Sequence, residues 1–187
     1  MHSVEPFFQW DSLYSAETDP FSPFYGVEHS EFYFSNTLYN YYIHPQWEEF
    51  GSTTLYLKVL FAEYDDFGGV ILEMMGEWND ALHNDIMHLK REVVDHFVAR
   101  GIQKFIVIGE NVLNFHSSEE DYYQEWQEDV EEGWIVFVNF RNHVLQEMKQ
   151  ARLGYYVELL PEEINWRRSQ PMEFLHQVDS FINRRIN

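Results

Sequence analysis

The sequence contains no cysteine. That absence removes disulfides, thiol nucleophiles, iron–sulfur clusters and cysteine zinc sites together, and it fits a reducing compartment. Basic residues are scarce, with 12 Lys and Arg against 32 Asp and Glu, for a net charge of −20. Residues 1–140 hold 26 acids and 5 bases, whereas residues 141–187 hold 6 acids and 7 bases. A body this acidic repels a phosphate backbone and offers no basic stripe, so direct nucleic-acid binding is not expected. No apolar run approaches the roughly 20 residues of a membrane helix, and the start MHSVEPFFQW lacks the basic and apolar regions of a secretory signal. The reading is a soluble, cytoplasmic chain with no membrane partner.

What is abundant is aromatic side chain, 18% of 187 residues, within a hydrophobic content of 45% that is ample for a packed core. The chain divides into an acidic, aromatic-rich arm over residues 1–50 and a single α/β domain over residues 51–187 ending in a helix. The arm has fifteen aromatics and no Lys or Arg. So much apolar area argues against disorder. The expectation is an arm that wraps its own domain, with packing on a second subunit, and hence a homodimer, as the alternative. Glu31 to Tyr42 includes one possible strand.

Thr53 to Ala62 alternates apolar and polar residues, Tyr64 to Gly69 is turn chemistry, and Val70 to Met75 resumes a strand: an antiparallel hairpin. Glu63, Asp65 and Asp66 lack the spacing of a calcium loop. Gly76 to Asp80 ends the strand, and Asn79 or Asp80 caps a helix to Arg100 whose stripe is Leu82, Ile86, Leu89, Val93 and Phe97. Gly101 follows where a left-handed residue belongs. His83, His88 and His96 project in different directions from this helix, so no metal site is expected from them. Ile102 to Ile108 reads as a buried strand, followed by a polar loop from Glu110 to His116. Ser117, with Glu120 three residues on, reads as a capping box opening a helix closed by Gly133, along which Tyr122, Tyr123, Trp126 and Val130 form the apolar stripe. From Ser117 to Glu132 there are eight acids and no base. Trp134 to Phe140 is a strand covered on both faces. Asn142 caps a helix ended by Gly154, Tyr155 to Leu160 is a last strand, and Pro171 to Arg185 is a final helix whose arginines, with Arg167 and Arg168, can dock on the acidic body. Strands alternating with helices imply right-handed crossovers and a mixed, largely parallel sheet with an N-terminal β-hairpin.

This pattern resembles the STAS domain, the fold of anti-sigma-factor antagonists, from about Leu55 to Leu160. Val70 to Glu77 looks like the family's strand ending in a glycine before its first helix. Lys104 to Gly109 occupies the place of its central strand. Ile135 to Val138, then Val144, Met148, Ala151 and Leu153-Gly154, follow its strand–helix–strand pattern. The family carries an Asp-Ser-Ser-Gly-like motif after the central strand, whose serine is phosphorylated to control partner binding. Here Phe115-His116-Ser117-Ser118-Glu119 has the two serines, with His116 in place of the acid and Glu119 in place of the glycine. The resemblance therefore implies a STAS-like fold and a bacterial-type, protein-binding role rather than the phospho-switch.

Two functions fit these residues. One is a non-catalytic interaction or regulatory module that binds another protein through its acidic helix and the loop at 110–118. The other is a small enzyme or ligand-binding domain using the loops at the carboxyl ends of the strands. The candidate ligand or partner residues are Glu77, Glu110, Asn114, His116, Ser117, Ser118 and Arg141. No nucleophile elbow, phosphate loop, dinucleotide fingerprint or zinc-protease motif is present, so no catalytic residue, metal or cofactor is assigned, and the non-catalytic reading is preferred.

Overall fold

The computed structural model describes residues 3–30, 32–33, 36–118, 120–130 and 132–186, without the side chains of residues 3, 185 and 186. Glu31, Phe34, Glu119 and the Arg185 side chain, to which the sequence reading gave parts, lie outside what is described. Three short strands, β1 (Ser3–Val4), β2 (Thr37–Leu38) and β3 (Tyr41–Ile43), form one small sheet ordered β1-β3-β2. The main sheet follows the chain in the order β4 (Leu55–Glu63), β5 (Gly69–Asn79), β6 (Lys104–His116), β7 (Trp134–Val138) and β8 (Glu158–Leu159). β4 pairs antiparallel to β5, and the remaining pairs are parallel. This is the mixed α/β sheet with an N-terminal hairpin that alternation predicts.

Because each parallel step moves the same way across the sheet, right-handed crossovers place the connecting helices on one face. These are α1 (Asp80–His83), α2 (Asp85–Leu89), a π-helical turn over Lys90–Val94, α3 (Asp95–Val98), α4 (Asp121–Asp129) and α5 (Asn142–Gln150). The core on that face joins Leu57, Leu72, Val107 and Phe137 of the sheet to Leu89, Phe97, Trp126 and Met148 of the helices. The opposite face, with Ile71, Ile106 and Val136, is covered by α6 (Pro171–Ile186) and by Phe7, Trp10 and Trp166. Near the carboxyl end of β5 the small sheet takes over as cover, with Leu38, Ile43 and Trp47 against Tyr56 and Met75.

The aromatic segment therefore closes on its own chain. The rings of Phe7, Trp10 and Trp166 meet edge-on at 4.7–5.4 Å. Trp47 donates its indole N–H to the carbonyl of Val4 at 2.8 Å, and Tyr14 and Tyr64 both donate to Asp19. Phe24 and Phe50 enter the core on the helical face.

Several boundaries differ from the sequence reading. The strand does not stop at Gly76; it runs on to Asn79, and Gly76 sits inside it at φ +122°. The polar stretch from Glu110 to His116 is not a loop but the second half of β6, hydrogen-bonded to the extended β5 across two register shifts. The helix from Asp80 is broken at Asn84, which takes a left-handed conformation, and turns π-helical at Lys90–Val94. Leu82 consequently leaves the apolar stripe and is 79% exposed, while Ile86, Leu89, Val93 and Phe97 are buried. Ser117 makes no capping box: α4 begins at Asp121, and the Glu120 carboxylate accepts from the Tyr156 hydroxyl at 3.0 Å instead of turning back to the chain. α4 also ends before Gly133. Asn142 is the first residue of α5 rather than its cap, the preceding Arg141 holding the cap position. The last strand is only two residues long because Leu153–Tyr155 forms a 3₁₀ turn. In the N-terminal segment two short strands stand where one was expected. Asn79 does cap α1, accepting from the N–H of Leu82 at 2.9 Å, and Gly101 is left-handed at φ +89°.

Candidate functional site

The extension of β5 and β6 decides where the predicted site residues go. Glu77 and Asn114 are register partners, as are Asn79 and His116, so the two strand ends bring Glu77, Asn114 and His116 together. His116 Nε2 lies 3.3 Å from Glu77 Oε1, and Tyr39 of the small sheet's turn donates its hydroxyl to Glu77 Oε2 at 2.7 Å. That bond to a carboxylate raises the phenol of Tyr39. Asn114 Oδ1 is buried without a hydrogen-bond partner.

Glu110 and Arg141 belong to a different place. Six residues of strand, roughly 20 Å, separate Glu110 from His116. The Glu110 carboxylate accepts from Asn139 Nδ2 at 2.9 Å, Trp166 Nε1 at 2.8 Å and the guanidinium of Arg167. Burial pushes its carboxyl up, but these three donors outweigh burial and hold it below the ordinary range. Arg141 donates to the backbone carbonyl of Glu110, at 3.3 Å. The trio Glu110, His116 and Arg141 is thus not assembled around one substrate, contrary to what a loop at 110–118 would allow.

Beside Glu110 lies a group the sequence did not single out. Glu73, on β5, is 1% exposed and accepts from the backbone N–H of Phe7 at 2.8 Å. Its Oε1 has no hydrogen bond, and the Arg167 guanidinium stands 3.8 Å away. Burial pushes the Glu73 carboxyl up to about 7, against the opposing effects of the Phe7 N–H and Arg167. A carboxylate in the strand Val70 to Met75, otherwise apolar around it, was the available signal. Asn139, at φ +56°, also went unread; its side chain ties Glu110 to the backbone of Ile164.

Ser117 and Ser118 are exposed, between the end of β6 and α4. Ser118 lines a groove of about 590 Å³ between α1 and the start of α4, with Leu82, Asn84, Arg91, Asp121 and Tyr122. The acids of α4 are less free than their sequence suggests. The Lys90 ammonium, fully buried, meets Asp129 at 2.7 Å, Glu125 at 3.4 Å and Asp95, while Arg91 donates in two bonds to Glu125. Asp121 and Glu128 remain exposed. His83, His88 and His96 enter neither of the two groups of possible metal-ligating side chains among the described residues.

No family model matches the sequence, and no curated protein matches it. Among solved structures, the chain is similar to the anti-sigma factor antagonist SpoIIAA in its unphosphorylated form, at 12% identity and a TM-score of 0.44, covering 66% of this chain and 96% of that one. It is similar to the Thermotoga maritima protein TM1081 at 18% identity and a TM-score of 0.41, covering 63% and 91%. The phosphorylated form of SpoIIAA, a Bacillus cell fate determinant, gives 12% identity and a TM-score of 0.39 over 65% and 98%. Among the described residues, no helix is long and apolar enough to cross a membrane.

Proposed function

We propose that the chain is a regulatory protein-interaction module with no reaction of its own, and that its partner docks in the groove between α1 and the start of α4. The observation that carries this reading is Leu82. The left-handed break at Asn84 turns it out of the core stripe, so a leucine stands 79% exposed in a groove beside the half-buried Tyr122. An apolar anchor beside an aromatic ring, ringed by polar groups, is the arrangement that concentrates binding energy at interfaces. Asp121 at the rim, Glu128 further along α4 and the net charge of −20 favour a partner with basic residues at its edge.

Leu82→Asp and Asp121→Lys, each with unchanged circular dichroism, should lose partner capture relative to the unsubstituted chain. Undiminished capture by both would overturn the assignment of the groove. Lysines at Glu125 and Asp129 are the wrong test, because those acids hold Lys90 and Arg91 in place.

The second reading, a small-ligand site at the carboxyl ends of the strands, is favoured by the buried, unpartnered Asn114 Oδ1 next to Glu77 and His116. A homodimer through the N-terminal segment would rest on exposed rings such as Phe32 and Tyr33, at 81% and 80%, since Phe7, Trp10 and Phe24 are buried in the chain's own core. Sedimentation velocity distinguishes the two oligomeric states.

A further inference from the structure

Glu17, His29 and Glu48 come from three separate stretches of the N-terminal segment, yet their ligating atoms all lie within 4.8 Å of one another. His29 Nε2 is 2.8 Å from Glu48 Oε1 and 3.6 Å from Glu17 Oε1. Its other nitrogen, Nδ1, is 2.9 Å from the carbonyl of Pro45. A carbonyl only accepts, so Nδ1 carries a proton, and in the neutral ring the Nε2 lone pair faces two carboxylate oxygens. Three acceptors pointing at one spot call for a positive charge there. A proton on Nε2 answers Glu48 but leaves Glu17 Oε1 beyond hydrogen-bond length; a metal ion answers all three.

We propose that Glu17, His29 and Glu48 bind one divalent transition-metal ion of the Zn²⁺ or Mn²⁺ type. The ring orientation is the one found in metal sites, where the nitrogen away from the ion donates to a backbone carbonyl and fixes the tautomer. The Glu17 carboxylate and the Glu48 backbone are each held by hydrogen bonds. Glu17 Oε2 accepts from the Ser15 hydroxyl, and the backbone of Glu48 pairs with Leu57 of β4 in both directions, at 2.7 and 3.2 Å. Glu48 is 5% exposed. One imidazole and two carboxylates without thiolate suit a borderline-to-hard ion. Bonds of about 2.0–2.2 Å place neighbouring ligand atoms roughly 3–3.5 Å apart, so the His29–Glu48 contact of 2.8 Å opens slightly and the Glu17–His29 separation of 3.6 Å already fits. Three protein ligands leave a coordination position, and the site opens on a cavity of about 360 Å³ also lined by His44, Glu28 and Glu49. The cluster of Asp95, Glu125 and Asp129 holds three carboxylates but is already filled by the Lys90 ammonium and the Arg91 guanidinium. The ion would clamp three parts of a segment poor in regular structure and so stabilise its closure.

The test uses the full chain stripped of metal by chelation, titrated with Co²⁺ as a spectroscopic substitute for Zn²⁺ and with Zn²⁺ by calorimetry. Expected are saturation at one equivalent with Co²⁺ ligand-field bands, displacement of Co²⁺ by Zn²⁺, and a rise in Tm on loading. His29→Gln and Glu48→Gln should each weaken binding at least ~10- to 100-fold, and Asp129→Asn should leave it unchanged. Absence of saturable binding by the unsubstituted chain would overturn the site. So would weak binding of many equivalents, or one-equivalent binding that persists in His29→Gln. The titration of the unsubstituted chain decides the matter even if a variant fails to fold.

Discussion

The backbone N–H of Phe7 donates to the buried carboxylate of Glu73 at 2.8 Å, tying the N-terminal segment to the middle of the central sheet across 66 residues of sequence. Glu73 is 1% exposed, its second oxygen has no hydrogen bond among the described residues, and the Arg167 guanidinium stands 3.8 Å away and is also bound to Glu110. The tie between segment and sheet therefore contains a carboxyl held at about 7 by burial.

That shift has a sign. Between the ordinary value of 4.5 and about 7, the unfolded chain loses this proton before the folded one does. The folded state then holds more protons, and stability falls as pH rises. The full penalty, on the order of 3 kcal/mol, is absent below pH 4.5 and complete above about 7. Glu73→Gln keeps an acceptor for Phe7 but does not titrate. Urea denaturation from pH 4.5 to 8 should show a flatter loss of stability in the variant; parallel curves would contradict this account.

Lys90 is predicted to be a keystone between the π-helical turn and α4. Its ammonium is buried, while Asp95, Glu125 and Asp129 are each about a third exposed, at 35–38%. Water therefore softens the repulsion that removal would leave, and the expected loss for Lys90→Met is about 2 kcal/mol, below the 3–5 of a fully buried pair. The urea midpoint measures it. An unchanged midpoint would show that Arg91 alone suffices.

Gly76 and Gly101 separate steric from conformational need. Both have positive φ, but a Cβ on Gly76 would lie 2.1 Å from the carbonyl oxygen of Thr54, whereas one on Gly101 would meet nothing within 4 Å. Gly101→Ala should cost about 1–2 kcal/mol of backbone strain. Gly76→Ala should cost several kcal/mol more or prevent folding, as thermal melts of the two variants would show.

Much of the fold is legible in the sequence because burial obeys a simple period. Leu55, Leu57 and Val59 alternate, and Leu89, Val93 and Phe97 mark a helix face. The two four-residue steps of that last trio even fit the wider π-helical turn between them, though they read equally well as α. The second halves of β5 and β6 were missed for a physical reason. Register shifts between Glu73 and Met75 and between Gly76 and Glu77 break the two-residue period, and Glu110, Asn111 and Asn114 are polar where strands are usually apolar. Glu77, Asn114 and His116 come together because strand pairing aligns their positions. A loop at 110–116 would be compact and bring Glu110 and Arg141 to His116, whereas the strand found there is extended and holds Glu110 apart from it. Spacing puts Leu82 in the core stripe because it cannot reveal the left-handed Asn84 that turns it out. The Glu17, His29 and Glu48 cluster has no sequence spacing to read, since three turns of irregular chain bring it together.

Site-specific photo-crosslinking in the native cells tests the docking groove most directly, with the reactive side chain placed at position 82 or, as a control of equal 79% exposure, at Tyr155. The account predicts one discrete protein adduct from position 82 that is lost when Asp121→Lys is added, and none of that mass from position 155. No adduct from position 82, or the same adducts from both positions, would contradict the claim that this groove is where a partner binds.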